Sequence, residues 1–207
     1  MAYQLVHMDG VGLDVAMGGG RREFFGSGLG GKRRDPEDDL VKQWLAGRPG
    51  RSYVTTADQL TSLKPGEQVL GLFANSHMTY IAERGKDSSE PSLSQMTVAA
   101  IDLLAACEGR RILVLGAMRE LGERSAALHA EVGSYAAQAG IDELWGVGPE
   151  LEAAVAAFGD NGRWFADCET AIGELPGRFD SNDTVLVKGS RGARMERVLQ
   201  ALLAGER

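Results

Sequence analysis

Short β-branched and apolar runs alternate with segments of helical period along almost the whole chain, which is the pattern of an α/β protein with a mainly parallel sheet. Strands are predicted at Leu13–Met17, Ser52–Thr55, Gln68–Phe73, Arg111–Leu115, Glu143–Val147, Arg163–Phe165 and Thr184–Lys188. A helix is announced at Asp35 by an N-cap aspartate, a proline at the first helical position and acidic residues in the first turn, and it stops at Gly47. Thr56 caps a short helix through Leu63, which Lys64-Pro65-Gly66 breaks. Ser92 and Gln95 form a capping box for a helix to Cys107, with Leu93, Met96, Ala100, Leu103, Leu104 and Cys107 on one face. Further helices are predicted at Glu123–Ala139, Glu150–Phe158, Cys168–Leu175 and Gly192–Leu203. In the first of these the apolar stripe is Leu128, Val132, Tyr135, Ala136 and Ala139. Residues 75–90 are polar and aperiodic and read as a loop.

Composition narrows the class. With 207 residues and 43% of them apolar, the chain can bury a sizeable core. Its longest apolar runs, such as Ala99–Ala106 with Asp102 inside it, fall far short of the roughly 20 residues of a membrane span, so no membrane partner is expected. The first twelve residues have no basic segment leading into an apolar one, and a cytoplasmic location is predicted. A net charge of −7 argues against a nucleic-acid partner, because the only basic run, Lys32-Arg33-Arg34, is followed at once by Asp35, Glu37, Asp38 and Asp39. Cys107 and Cys168 lack disulfide or zinc spacing and read as reduced, buried thiols. His7, His77 and His129 are scattered, and none has a second ligand at metal spacing. His129 falls beside the apolar stripe of its helix, as a satisfied boundary histidine would. Asp9 and Asp14 read as solvated turn residues.

Two glycine-rich segments are candidates for anion binding. Gly26-Ser27-Gly28-Leu29-Gly30-Gly31-Lys32 fits both GxGxxG and GxxxxGK on paper. Its setting is wrong for a phosphate loop, since no strand directly precedes it, Arg33 stands where a magnesium-binding hydroxyl belongs, and the next helix is delayed. The second candidate is Val185-Leu186-Val187-Lys188-Gly189-Ser190-Arg191-Gly192, a strand running into a cationic turn and then a helix. Lys188 offers a point charge, Arg191 a bidentate donor, and Ser190 with the backbone N–H groups at the start of the next helix neutral donors, in a turn through Gly189 at the carboxyl end of a parallel strand. The loop Gly116–Glu123 is placed at the same sheet edge and would line the same crevice. An ordinary turn with solvated charges is the competing reading.

Two family resemblances meet in this chain. From about Asp14 to Met96, the text DVAMGGGRREFF, SYVTTADQL, KPGEQVLGLFANSHM and EPSLSQMT resembles an internal segment of bacterial alkaline phosphatases. From about Ser94 to Leu203, the text AAIDLLAACEGRRILVLGAMRELGE, LHAEVGSYAAQAGID and VLVKGSRGARMERV resembles the C-terminal domain of MurF, the Mur ligase type that adds D-alanyl-D-alanine to UDP-N-acetylmuramoyl-tripeptide. The expected domains are 1–95, phosphatase-like, and 96–207, ligase-like. The expected fold is α/β, a Rossmann-like, three-layer, doubly wound and mainly parallel sheet. The ligase-like domain normally begins with a strand that is missing from its own family text. Gln68–Phe73 is expected to replace it beside Arg111–Leu115 by a right-handed crossover, making one sheet continuous across the joint.

The resemblance implies parent enzymes that use zinc and magnesium, or ATP and magnesium. It also implies that neither active site is complete. The phosphatase nucleophile and metal ligands lie outside the matching segment, and the ligase phosphate loop belongs to a central domain that does not match. The ligase family's YNANP-type segment is replaced by Phe73-Ala74-Asn75-Ser76-His77, and its GDM turn reads Gly116-Ala117-Met118, without the acidic side chain. The expectation is a fusion with no cofactor and no catalytic or metal residues. It retains at most a weak site for a small anion or peptidoglycan-precursor fragment at Lys188, Gly189, Ser190 and Arg191. The alternatives are a phosphomonoester hydrolase, or an ATP-dependent acid–amino-acid ligase of peptidoglycan precursor synthesis.

Overall fold

The computed structural model describes residues 2–7, 12–64, 66–80, 83–118 and 121–205. The chain divides into two compact units, Met1–Ala99 and Ala100–Arg207.

In the first unit, β1 (Val15–Gly18), β2 (Arg51–Val54) and β3 (Gln68–Leu72) form a parallel sheet in the order β1-β3-β2. Helices α1 (Ala2–His7) and α2 (Leu40–Gly47) cover one face, where Val6, Leu40, Val41 and Trp44 pack with Leu70 and Leu72. Helix α2 begins later than the Asp35-Pro36 signal predicts. Asp35 closes a local turn by accepting from the Glu37 N–H, and Asp39 is the N-cap, accepting from the Lys42 N–H at 2.9 Å. Thr56 caps α3 (Ala57–Thr61) as expected.

Helix α4 (Leu93–Ala105) opens with the predicted capping box: the Ser92 hydroxyl accepts from the Gln95 N–H at 3.1 Å, and the Gln95 side chain accepts from the Ser92 N–H at 2.8 Å. The unit boundary falls inside this helix. In the second unit, β4 (Arg110–Gly116), β5 (Glu143–Val147), β6 (Gly162–Phe165) and β7 (Asp183–Lys188) form an all-parallel sheet in the order β6-β5-β4-β7. Strand parity sorts its side chains. Leu113, Leu115, Leu144 and Leu186 pack with Ile101 and Leu104 of α4, Ala136 of α5 (Ser125–Gln138) and Ala154 of α6 (Glu152–Phe158). Ile112, Val114, Trp145 and Val147 face the other way, onto Cys168 and Ala171 of α7 (Cys168–Gly173) and Val198 of α8 (Glu196–Gly205). This is the expected three-layer, doubly wound arrangement.

The continuous sheet is not formed. β3 is flanked by β1 and β2, and β4 by β5 and β7, so neither strand has a free edge to offer the other. Strand β7 takes the place beside β4 that Gln68–Phe73 was expected to fill, with Leu186 opposite Leu113 and Val187 opposite Val114.

The predicted stripe of α5 packs on the core at Val132, Tyr135, Ala136 and Ala139, and His129 and Gly133 are buried beside it, while Leu128 is partly exposed. Asp102, the polar residue inside the apolar run of α4, accepts a hydrogen bond from the Tyr135 hydroxyl at 2.6 Å, which pushes that phenol up to about 12.

Candidate functional site

Both glycine-rich candidates can now be judged by where their backbone N–H groups go. In the Gly26–Lys32 loop every one is already used. Gly26 donates to the Asp38 carbonyl, Ser27 to Arg33, Gly28 to Pro36, Leu29 and Gly31 to Gly26, Gly30 to Ser27, and Lys32 to Arg22. A phosphate loop must aim such donors outward at the anion, so this loop is a self-bonded surface turn.

The Lys188–Arg191 turn lies at the carboxyl edge of the second sheet, as the strand-to-turn pattern suggests. Strand pairing sets Leu115 beside Lys188, so the loops after β4 and β7 leave the sheet together. They are joined where the Ser190 N–H donates to the Ala117 carbonyl at 3.1 Å. Gly189 is needed here, because a Cβ at that position would stand 2.6 Å from Met195 Cγ and 3.2 Å from Gly116 Cα. The loops of Gly116-Ala117-Met118 and Lys188-Gly189-Ser190 are thus brought together. Arg119 and Glu120 lie outside the described residues, as do Asp9 and the side chain of Arg191.

One element is displaced from its predicted place. Residues Arg191–Ala193 form a single 3₁₀ turn, Arg194 takes a left-handed conformation with φ 53°, and α8 starts only at Glu196. The helix N-terminus therefore does not sit on the turn, and its first residue is itself acidic. What remains is side-chain chemistry. Lys188 shares the sheet face of Leu113, Leu115 and Leu186, and desolvation pulls its ammonium down to about 8, with no carboxylate among the described residues to offset it. The Ser190 hydroxyl is buried without a hydrogen-bond partner among the described residues.

His129, on α5, sits at the same edge and is fully buried. Its Nε2 accepts from the Met118 N–H at 3.0 Å, and its Nδ1 lies 2.8 Å from the Ser125 carbonyl, to which it donates. Both partners together demand the neutral Nδ1–H tautomer and leave neither nitrogen for a substrate or a metal. The histidine is a strut that fixes the loop after β4. Its Ser125 spacing of one helical turn was the only sequence signal for this role.

The donor set does not fit a zinc or magnesium cluster. No group of three His, Cys, Asp or Glu side chains converges among the described residues. His7 stacks on Tyr3 and bonds its carbonyl, and Asp14 takes a hydrogen bond from Gln68. Cys168 is buried with its thiol directed at the Ala193 carbonyl, and burial raises it above the usual thiol range. Cys107 is only half-buried.

Comparison with known families accounts for both halves. Residues 1–118 match the alkaline phosphatase family, and residues 95–191 match the Mur ligase glutamate ligase domain. The chain belongs to the alkaline phosphatase family, and its second half matches the Mur ligase domain, so both family signals are present in one chain. It is 43% identical over 118 residues to the UDP-N-acetylmuramoyl-tripeptide–D-alanyl-D-alanine ligase of Escherichia coli K12, covering 56% of this chain and 26% of the ligase. It is 34% identical over 118 residues to the membrane-bound alkaline phosphatase of Bombyx mori, covering 51% of this chain and 21% of the phosphatase. A crystal structure of MurF from Acinetobacter baumannii shares the fold over 63% of this chain and 31% of its own, with a TM-score of 0.50 at 21% identity. The chain therefore spans about a quarter of the length of its ligase relative and about a fifth of its phosphatase relative. No helix among the described residues is long and apolar enough to cross a membrane.

Proposed function

We propose that these residues carry no complete reaction centre of either parent enzyme and that their ligase half retains a weak binding site for a small anion, of the kind a phosphate or carboxylate of a peptidoglycan precursor would present. The observation that carries this reading is the half-buried, partly desolvated Lys188 with no anionic partner among the described residues, beside the buried and unpartnered Ser190 hydroxyl. A desolvated cation gains most from an anion that restores its lost solvation. Arg191, the next cation along the turn, is assigned a share of the binding by its chemistry alone. With one wall of loops and no helix N-terminus, affinity should be roughly millimolar, a few kcal/mol. The turn would orient a ligand, and the neighbouring His129 cannot serve it as a general base, since both of its nitrogens are occupied. The same reading has the chain act in the cytoplasm, without zinc, magnesium or ATP of its own.

The test is a titration of inorganic phosphate, ATP and a UDP-N-acetylmuramoyl peptide into wild type and a Lys188→Ala, Arg191→Ala double variant, followed by amide chemical shifts. Shifts at Gly116, Ala117, Gly189 and Ser190 that vanish in the double variant are expected. Their absence, or their persistence in the variant, overturns the site. Phosphomonoester hydrolysis above a heat-killed control and abolished by a chelator overturns the non-catalytic reading.

A further inference from the structure

Two cavities in the molecule carry enough charge to bind a small molecule, and they differ in what their charges are doing. The larger, about 720 Å³, lies at the amino edge of the second sheet around Arg110, Glu143 and Arg163. Its arginines are already spent: Arg110 reaches Asp183 and Glu143, and Arg163 reaches Glu143. An anion entering there would have to displace carboxylates held in place by the fold.

The other cavity, about 530 Å³, lies in the first unit. It is walled by Arg21 and Arg22 from the loop after β1, Tyr53 of β2, Asn75 from the loop after β3, and Phe25 and Leu29 of the glycine-rich turn. Strands β1 and β3 thus deliver their following loops to it and β2 contributes Tyr53, at the edge where open parallel sheets hold ligands. The two loops are locked together by backbone bonds, Arg21 N–H to the Ala74 carbonyl at 3.0 Å and Arg22 N–H to the Asn75 carbonyl at 3.2 Å, which fixes both arginines beside Asn75. The acidic residue in the wall, Asp39, is engaged as the cap of α2. Arg22 spends one nitrogen on its exposed neighbour Glu23, and the Asn75 amide makes no side-chain hydrogen bond among the described residues. The rest of the lining is Phe25, Tyr53, whose hydroxyl meets the Arg21 guanidinium, and Leu29, which is 54% exposed.

We infer that this cavity is a binding site for a small organic phosphate or carboxylate that carries a planar ring, with Arg21 and Arg22 holding the anion and Phe25, Tyr53 and Leu29 holding the ring. The guanidinium forks suit a planar or tetrahedral oxyanion, and the apolar wall takes a ring of matching size. The glycine-rich loop serves as a wall and not as a backbone cradle, because its N–H groups are consumed internally.

Phenylphosphonate, which has no ester bond to hydrolyse, is the probe, with methylphosphonate and phenol as partial probes. Each is titrated into the full chain and followed by amide shifts of Arg21, Arg22, Gly30 and Asn75. Phenylphosphonate should bind at least fivefold more tightly than either partial probe. Arg21→Gln with Arg22→Gln should abolish binding, and Leu29→Ser on the exposed rim should erase the advantage over methylphosphonate. Lys188→Met should leave the response in the first unit unchanged, which separates this site from the one in the ligase half. No response at these amides up to 20-fold above the ~1 mM that a few kcal/mol gives, equal affinity for phenyl- and methylphosphonate, or a response that survives the arginine double substitution overturns the inference.

Discussion

The two ends of the second sheet are built from the same strands and yet treat charge in opposite ways. At the amino edge every strand carries, within its first two residues, a charge that finds its opposite. Arg110 donates to Asp183 across β4 and β7 at 2.6 Å, Arg163 donates to Glu143 across β6 and β5 at 2.7 Å, and Arg111 meets Asp142 at 2.9 Å. Asp183 and Asp142 are held below the usual carboxylate range by hydrogen bonds from these guanidinium groups. At the carboxyl edge a half-buried lysine has no counter-charge and a buried serine hydroxyl has no partner among the described residues. The amino edge spends its charges on holding strands together, whereas the carboxyl edge leaves polar groups unsatisfied, which costs stability and provides room for a ligand.

Substitutions test that contrast, and the largest effect should come from the strut at the carboxyl edge. His129→Ala removes a fully buried ring and two hydrogen bonds. It should cost about 3 kcal/mol in urea unfolding. A loss below ~1 kcal/mol would mean that the loop after β4 is held by something other than this histidine.

At the amino edge, Arg110→Ala leaves Asp183, only 3% exposed, without its partner. Arg110 itself is 40% exposed, so the loss should be about 2 kcal/mol and not the 3 to 5 of a fully buried pair. The hydrogen bond from Arg110 holds the Asp183 carboxyl below its ordinary value of 3.8 in the fold. Its contribution is therefore present above about pH 4 to 5 and is lost as the pH falls through the lower folded value. Unfolding of wild type and variant should converge in that acid range, and anion binding at the other edge should be unchanged.

Lys188→Met should have the opposite sign. The partly desolvated ammonium is brought from 10.5 down to about 8, so the unfolded chain holds its proton more tightly than the fold does. At neutral pH both states are charged and the burial cost is present in full. Between about pH 8 and 10.5 only the unfolded state keeps the proton, so wild type gains stability with rising pH relative to the variant. The methionine variant should be more stable at pH 7 by about 1 to 3 kcal/mol and unable to bind phosphate. Phosphate binding to wild type should weaken as the pH rises past about 8, where the lysine loses its charge. A destabilised variant would show that the ammonium has an anionic partner in the fold. The smallest effect is expected from Ser190→Ala, neutral or stabilising by up to about 1 kcal/mol, because an unpartnered buried hydroxyl is removed.

The sequence by itself determined the local events of this fold. Thr56, Ser92 with Gln95, and Asp167, which accepts from the Thr170 N–H at 2.8 Å, act as caps because a cap needs only residues within one turn of each other. The seven strands fall within two residues of their predicted bounds because a buried parallel strand is a short continuous apolar run. Tertiary structure alone decided the rest. Which strand takes the place beside β4 depends on a competition that Val185-Leu186-Val187 wins against a strand more than a hundred residues earlier, and no local pattern records that competition. The late start of α8 follows from the left-handed turn at Arg194. The desolvation of Lys188, the double bond of His129 and the Arg110–Asp183 clamp join residues remote in sequence, whose meeting is set by how the layers pack. Local pattern fixes which elements form, because backbone hydrogen bonds and capping act over a few residues. Packing fixes which charges lose their water, and that loss separates the edge that stabilises this protein from the edge that has room to bind.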